Sequence, residues 1–154
     1  MRGPTVTGGG GARIRPAAAS DLEAVIRLLE DSALPTAGVT ASLGGFMVAE
    51  EDGSLVGVAG LEVHGMDGVL RSVAVDPTAR GAGLGGRLTE RVIGVAREAG
   101  LRRVYLLTTT AEAYFPRHGF RRIAREDTSP EVRRSVEFRE ACPASAVAML
   151  LELE

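Results

Sequence analysis

The chain has 154 residues, of which 45% are hydrophobic and 25% are charged, and its formal net charge is -2. This balance is typical of a single globular domain, and it gives no general electrostatic attraction to nucleic acid or to an anionic membrane. All 18 basic residues are arginine, so chemistry that needs a catalytic or phosphate-binding lysine is excluded.

Cysteine and histidine are too few for a disulfide framework or a zinc site. Cys142 is the only cysteine, which fits a reducing compartment and predicts a cytoplasmic protein, with Cys142 in a packing role. His64 and His118 lie far apart in sequence, so we expect no metal site. No apolar run is long enough to cross a bilayer. The sequence predicts a flexible leader over 1–11 and a single domain over 12–154.

The first half of that domain alternates strands with one helix. "ARIRP" predicts a strand over 12–16, and Ser20 or Asp21 is the expected N-cap of a helix with apolar residues at helical spacing. A short loop follows. Two β-rich runs then meet at the turn signal Asp52-Gly53 and predict a hairpin. A fourth strand, "GVLRSVAVDP", ends before Pro77.

The second half begins with an amphipathic helix that ends near Gly100, followed by a fifth strand, "LRRVYLLTTT". "AEAYFPRHGF" predicts a short helix, "FRRIAR" a sixth strand, and "SAVAMLLEL" a last strand. The order β-α-β-β-β-α-β-α-β-β predicts an α+β fold with a mixed, mainly antiparallel sheet. The apolar last strand could also pair across a homodimer.

"VDPTARGAGLGG", residues 75–86, carries four glycines in six residues. Its G-x-G-x-x-G spelling weakly suggests a dinucleotide site, but five residues separate the glycines from the strand, and no acid follows the next strand. A connection without a ligand is the plainest alternative. The third interpretation is an anion site, in which backbone N–H groups and the start of a helix hold a diphosphate and Arg80 adds a charged donor.

"SVAVDPTARGAGLGGRL" resembles the acetyl-CoA motif of the GNAT N-acetyltransferases, and "TTTAEAYFPRHGF" is similar to the second motif of that family. The resemblance covers about nine tenths of the chain and implies the GNAT α+β fold, with acetyl-CoA between strands four and five and no metal. It implies that main-chain groups of Val73 and Val75 hold the acetyl and pantetheine arm. The implied cofactor-binding residues are Val73, Ala74, Val75, Arg80, Gly81, Ala82, Gly83, Leu84, Gly85, Gly86, Thr108 and Phe115.

Two positions depart from the second motif. Thr108 stands in its asparagine slot, and Phe115 stands in the slot of the tyrosine that protonates the leaving thiolate in many members of the family. Tyr114 is our candidate acid, although on a regular helix it would point about 100° away from that slot. The alternatives are that Tyr114 only packs or touches the cofactor, and that water supplies the proton.

The acceptor amine must lose a proton, and a carboxylate near the thioester is the usual base. Glu62, a charge inside the apolar run "VAGLEVHG", is our candidate, with His64 as a second choice and a solvent-facing Glu62 as the alternative. Arg71 is expected on the same strand face as Val73 and Val75. It would either clamp an acceptor carboxylate or form a structural ion pair with an acid such as Glu62.

A closer resemblance is to the GNAT domains of glutamate N-acetyltransferases and to small GNATs linked to arsenic resistance, through segments such as "LPTAGV", "YLLTTTA" and "EFREACPASAVAM". It implies a small amino-acid-like amine as acceptor, attacked directly in a ternary complex. Polyamine, aminoglycoside or peptide amines are alternatives, as is a non-catalytic acetyl-CoA sensor. The predicted acceptor residues are Arg71, Ser72, Thr109, Thr110 and Phe138, with Ser135 and Glu137 as further pocket residues.

Overall fold

A computed structural model describes residues 11–141 and 145–153 and contains a seven-stranded sheet in the order β1-β2-β3-β4-β5-β7-β6. Every neighbouring pair is antiparallel except β4 and β5, which are parallel. The predicted α+β fold with a mainly antiparallel sheet is therefore confirmed. The strands are β1 Arg13–Pro16, β2 Phe46–Glu51, β3 Ser54–His64, β4 Asp67–Val75, β5 Arg103–Thr108, β6 Arg121–Ile123 and β7 Val147–Glu152.

Helices of very different length connect these strands. Within the described residues the α-helices are α1 Leu22–Asp31, α2 Val39–Ser42, α3 Leu84–Glu98 and α4 Pro130–Arg133, and a π-helical turn covers Glu137–Ala141. Asp21 precedes α1 as expected, but its side chain makes no capping hydrogen bond to that helix. It instead accepts hydrogen bonds from Arg15 at 2.8 and 3.0 Å and from the Ala18 amide at 2.7 Å. None of the helices in this part of the chain is long and apolar enough to span a membrane.

The two long helices pack on opposite faces of the sheet. Leu88 and Val92 of α3 belong to one buried cluster, and Val25 and Leu29 of α1 belong to another. Each helix therefore turns an apolar stripe to the sheet, as the helical spacing predicted.

A β-bulge interrupts β4 in the middle of the sheet. Ser72 and Val73 together oppose the single residue Ala59 of β3, and Ser72 has a φ of +61°. Because an extra residue reverses the alternation of side chains, the expectation that Arg71 shares a face with Val73 is wrong. Val73 packs against the α3 cluster, whereas Arg71 reaches the carbonyl of Pro35 behind α1.

β4 and β5 pair over only three residues each, Asp67–Val69 against Arg103–Tyr105. Beyond them the two strands separate, which confirms the predicted splay. β7 lies between β5 and β6 and is hydrogen-bonded on both sides. The expectation that the last strand offers a free edge for dimerisation is therefore wrong, and a homodimer stays a prediction.

Candidate active site

A cleft of about 1040 Å³ opens where β4 and β5 separate. Its wall contains most of the residues singled out in the sequence, drawn from β4, the glycine loop and the segment after β5. These are Arg71, Ser72, Val73, Val75, Arg80, Gly81, Gly83, Leu84, Gly85, Gly86, Thr108, Thr109, Thr110, Tyr114 and Phe115.

The glycine loop begins with a turn that is held by Asp76. Its carboxylate accepts hydrogen bonds from the amide and the hydroxyl of Thr78, and these bonds lower the pKa of Asp76. Gly81 and Gly83 then adopt φ values of +91° and +78°, which side chains of L-residues rarely allow. A Cβ atom at either glycine would meet no protein atom within 4 Å. The loop is thus bare backbone facing open space at the start of α3.

Arg80 is anchored at the same end of the cleft. Its Nε donates a 2.9 Å hydrogen bond to the carbonyl oxygen of Val75, so the guanidinium folds back against the end of β4. A cation fixed beside unshielded N–H groups and a helix N-terminus is an arrangement that suits a diphosphate. The residues at this end of the cleft therefore have the chemistry that the diphosphate of CoA requires.

The segment after β5 forms the opposite wall. The hydroxyl of Thr108 accepts a 2.9 Å hydrogen bond from the amide of Ala111 and so shapes its own loop. Phe115 is buried and contacts Phe120 edge to face. The expected short helix is a 3₁₀ turn over Phe115–His118.

The side chain of Tyr114 is oriented differently from that of Phe115. The planes of the two rings make an angle of 79°, and the Tyr114 hydroxyl lies 3.1 Å from Nε2 of His118. A Cβ atom placed on Gly86 would be 3.2 Å from that hydroxyl. Burial raises the pKa of the Tyr114 phenol, and the charge of Arg117 opposes the rise. The hydroxyl thus lies against the first turn of α3, and its role as an acid stays a prediction.

A buried charge cluster surrounds Arg71 at the other end of the cleft. Its Nη1 donates to Oε2 of Glu62 at 2.8 Å, and its Nε lies 2.9 Å from the Ser72 hydroxyl and 3.4 Å from Oε1 of Glu137. The other oxygen of Glu62 lies 3.1 Å from Nε2 of His64, whose side chain is 27% exposed. Of the two alternatives for Arg71, the ion pair with Glu62 is present.

The two carboxylates of this cluster have different relations to the cleft. Glu137 lines it with Arg71, whereas Glu62 lies behind Arg71 and does not. Both side chains are buried, so the solvent-facing alternative for Glu62 is wrong. Glu137 belongs to the π-helical turn, a kind of irregularity that is frequent at functional sites.

Several predicted site residues lie away from the cleft wall. Ala74 packs in the α1 cluster on the other face of β4, Ala82 is exposed in the glycine loop, and Phe138 is buried in a third cluster with Tyr105. Ser135 is also buried, and its hydroxyl accepts a hydrogen bond from the amide of Phe138. Cys142 lies outside the described residues.

His118 and Glu90 lie near the glycine loop and were not among the predicted site residues. Nδ1 of His118 lies 2.6 Å from Oε2 of Glu90 on α3, so these two residues continue a chain of hydrogen bonds from Tyr114 to the surface. The four-residue spacing of Tyr114 and His118 was a signal for their contact, but nothing in the sequence joined either one to Glu90. No group of three potential metal ligands is present within residues 11–141 and 145–153.

Comparison with known proteins agrees with this geometry. Residues 42–122 match the family model described as acetyltransferase (GNAT) domain. An amino-acid acetyltransferase of Mycobacterium tuberculosis is 42% identical over 91 residues, which are 56% of this chain and 52% of that protein. A mycothiol acetyltransferase of Cellulomonas flavigena is 38% identical over 95 residues, which are 52% of this chain and 27% of that protein. The matched part of the chain thus spans about half of the length of the first relative and about a quarter of the second.

Solved structures extend the likeness to the whole fold. The crystal structure of Rv2747 from M. tuberculosis in complex with CoA and NLQ has 31% identity and a TM-score of 0.79, covering 92% of this chain and 99% of that one. N-acetylglutamate synthase from Neisseria gonorrhoeae, complexed with CoA and N-acetyl-glutamate, has 25% identity and a TM-score of 0.78, covering 93% of this chain and 35% of that one. With the cleft, the glycine loop and the matched family model, these findings show that the chain belongs to the GNAT acetyltransferase family.

Proposed function

We propose that this protein transfers the acetyl group of acetyl-CoA to the amine of a small amino-acid-like acceptor. The observation that carries the proposal is a single cleft with a bare glycine loop at one end and a buried cluster of mixed charge at the other. Relatives named amino-acid acetyltransferase support the acceptor class.

At the loop end, the backbone N–H groups of Gly81–Gly86 hold the diphosphate, and the anchored guanidinium of Arg80 adds charge. In the middle of the cleft, the bulge at Val73 takes its backbone out of the regular β3–β4 register. Its N–H then polarises the thioester carbonyl, as the family resemblance implies. These contacts use backbone groups that the local fold holds in position, so little reorganisation is needed on binding.

The acceptor end carries both signs of charge just beneath the surface of the cleft. Arg71, whose side chain is 0% exposed, supplies a cation, and Glu137, 6% exposed, supplies a carboxylate, while Glu62 balances Arg71 from behind. A zwitterion matches this pattern, because its carboxylate is attracted to Arg71 and its ammonium to Glu137. A polyamine matches only one of the two signs, which favours an amino acid or a close analogue.

Glu137 takes the proton from the acceptor ammonium in this proposal, and the free amine then attacks the thioester carbon. Glu62 holds Arg71 in place and is a positioning residue; its role as the base stays a prediction from the sequence. The carbon–sulfur bond then breaks and CoA leaves as a thiolate, which is a fair leaving group near neutral pH because thiols have a pKa of about 8.5. The attacking nitrogen loses its second proton as the amide forms, and this proton passes through water to the thiolate. The reaction therefore does not depend on a tyrosine in the slot of Phe115.

The test is a thiol-release assay with acetyl-CoA against amino acids, polyamines, aminoglycosides and a peptide amine, followed by mass spectrometry of the product. The resemblance to GNATs linked to arsenic resistance adds arsenic-containing amino-acid analogues to the panel. Turnover with an amino acid or an analogue supports the proposal. Turnover with polyamines alone would overturn the acceptor class, and tight CoA binding without turnover on any amine would make the protein a sensor.

A further inference from the structure

Tyr114, His118 and Glu90 form a hydrogen-bonded chain beside the glycine loop. The Tyr114 hydroxyl is 3.1 Å from Nε2 of His118, and Nδ1 of His118 is 2.6 Å from Oε2 of Glu90. The His118 side chain is 10% exposed and that of Glu90 is 58% exposed. The chain thus runs from the cleft wall, through a nearly buried imidazole, to a carboxylate in solvent.

The inner end of this chain lies at the anion site. A Cβ atom on Gly86 would be 3.2 Å from the Tyr114 hydroxyl and 3.6 Å from Cε1 of His118, and one on Gly85 would be 4.0 Å from the hydroxyl. Both glycines belong to the first turn of α3. The Tyr114 hydroxyl therefore lies beside the turn at which the proposed function puts the diphosphate.

The short contact to Glu90 determines the direction of the hydrogen bonds. A carboxylate only accepts, so Nδ1 of His118 must carry a proton and donate it to Glu90. In neutral His118, Nε2 is then an acceptor, and Tyr114 donates its hydroxyl proton to it. The phenol oxygen can in that state offer only lone pairs to a phosphate, which also has only acceptors.

Protonation of His118 reverses the inner bond. Nε2 then carries a proton and donates it to the phenol oxygen, which frees the hydroxyl proton of Tyr114 for another acceptor. The buried hydroxyl of Thr89 on α3 also lies beside the phenol and competes with a phosphate for this proton. We propose that Tyr114 binds the diphosphate of CoA and that protonation of His118 switches its hydroxyl into a donor toward that diphosphate. This inference rests on the proposed function and assigns Tyr114 to binding instead of acid catalysis.

The other charges around His118 do not provide the same switch. Arg87 and Arg91 of α3 and Arg13 of β1 line a second cavity, of about 920 Å³, beside His118, and arginine stays charged at all relevant pH values. Arg117, adjacent in sequence, lies over the Tyr114 ring at 5.1 Å. Glu90 is a carboxylate at an exposed position. Of the residue types in this set, histidine is the one that ordinarily changes its charge between about pH 5 and 8.

The test is calorimetric binding of 3′-dephospho-CoA at about pH 8 and about pH 5.5, a range in which histidine titrates. This probe keeps the diphosphate but lacks the 3′-phosphate, which would itself titrate near pH 6. We expect about tenfold tighter binding at the lower pH, since one added hydrogen bond to a charged group is worth at least this much. Tyr114→Phe and His118→Gln should both abolish the difference.

His64→Gln, which removes the other histidine of the sequence, is the matched control and should keep the full pH difference. Circular dichroism checks that each variant is folded, and Glu90→Gln, at an exposed position, provides a second perturbation that should change the pH difference. A flat wild-type profile, or a slope that survives in His118→Gln, would overturn the inference. So would a Tyr114→Phe variant that loses kcat while binding the probe normally. Absence of CoA binding at any pH would instead overturn the proposed function.

Discussion

Arg71 and Glu62 are joined by a hydrogen bond of 2.8 Å between Nη1 and Oε2, and 0% and 7% of their side chains are exposed. Gly38 closes over the pair, since a Cβ atom there would be 3.2 Å from Nη1. The cation of the proposed acceptor site is therefore held from behind by one carboxylate, while the other, Glu137, lines the cleft with it.

Arg71→Met should destabilise the fold by about 3–5 kcal/mol, because it leaves buried carboxylates without their cation. Urea unfolding at neutral pH measures this loss. Arg122→Met is the matched control, because its 3.0 Å ion pair with Glu112 is exposed and should contribute less than about 1 kcal/mol. Equal losses of unfolding free energy in the two variants would contradict the prediction that the buried ion pair stabilises the fold more than the exposed one.

Glu137→Gln should lower kcat/KM about 100-fold and remove the acidic limb of the pH profile, because the amide cannot accept the ammonium proton. Glu62→Gln should reduce the rate less and keep that limb, since Glu62 acts through Arg71. Steady-state rates over a pH series, with CoA affinity measured separately, distinguish the two residues. Loss of the acidic limb only in Glu62→Gln would instead identify Glu62 as the base, as the sequence analysis predicted.

Gly83→Val should weaken CoA binding at least about tenfold while the domain stays folded, because the new side chain would occupy the proposed anion site. A free loop that relaxes the strain of a valine at positive φ would also have to regain it, at about 1–3 kcal/mol, in order to bind. Gly53→Val is matched to it, with a φ of +82° and no neighbour within 4 Å, but at the β2–β3 turn. Similar CoA affinities in both variants would count against the loop as the diphosphate site.

Asp21→Asn tests the ion pair that takes the place of a helix cap. The hydrogen bond from Arg15 lowers the pKa of Asp21 below 3.8, so its stabilisation is present above that pH and is lost as the carboxylate becomes protonated below it. The variant should lose about 2 kcal/mol at pH 7 and progressively less toward about pH 2. Asp31→Asn, at an exposed position, should change little at either pH.

Local patterns were enough to predict the glycine loop. Gly81 and Gly83 have the positive φ that such a run of glycines suggests, and the helix begins at Leu84 as expected. These features depend on neighbours in sequence, where spacing and residue type carry the information. The splay between β4 and β5 was implied only by the family resemblance.

The acceptor end was harder to predict, because tertiary structure decides it. A single extra residue at Ser72 moved Arg71 to the opposite face from Val73, and regular alternation gives no sign of a bulge. Glu137 reaches Arg71 from a segment 66 positions further along the chain, and His118 meets Glu90 across 28 positions. Periodicity within one element has no access to such pairs.

The short β4–β5 ladder would also give a bound CoA molecule a structural role in the sheet. Past Val69 and Tyr105 the two strands present backbone edges to the cleft without pairing to each other. The amide-rich pantetheine arm can act there as an inserted strand, so CoA would complete the sheet as well as deliver the acetyl group. Saturation with CoA should therefore slow amide hydrogen exchange along Leu70–Val75 and Leu106–Thr108 and raise the melting temperature with ligand concentration.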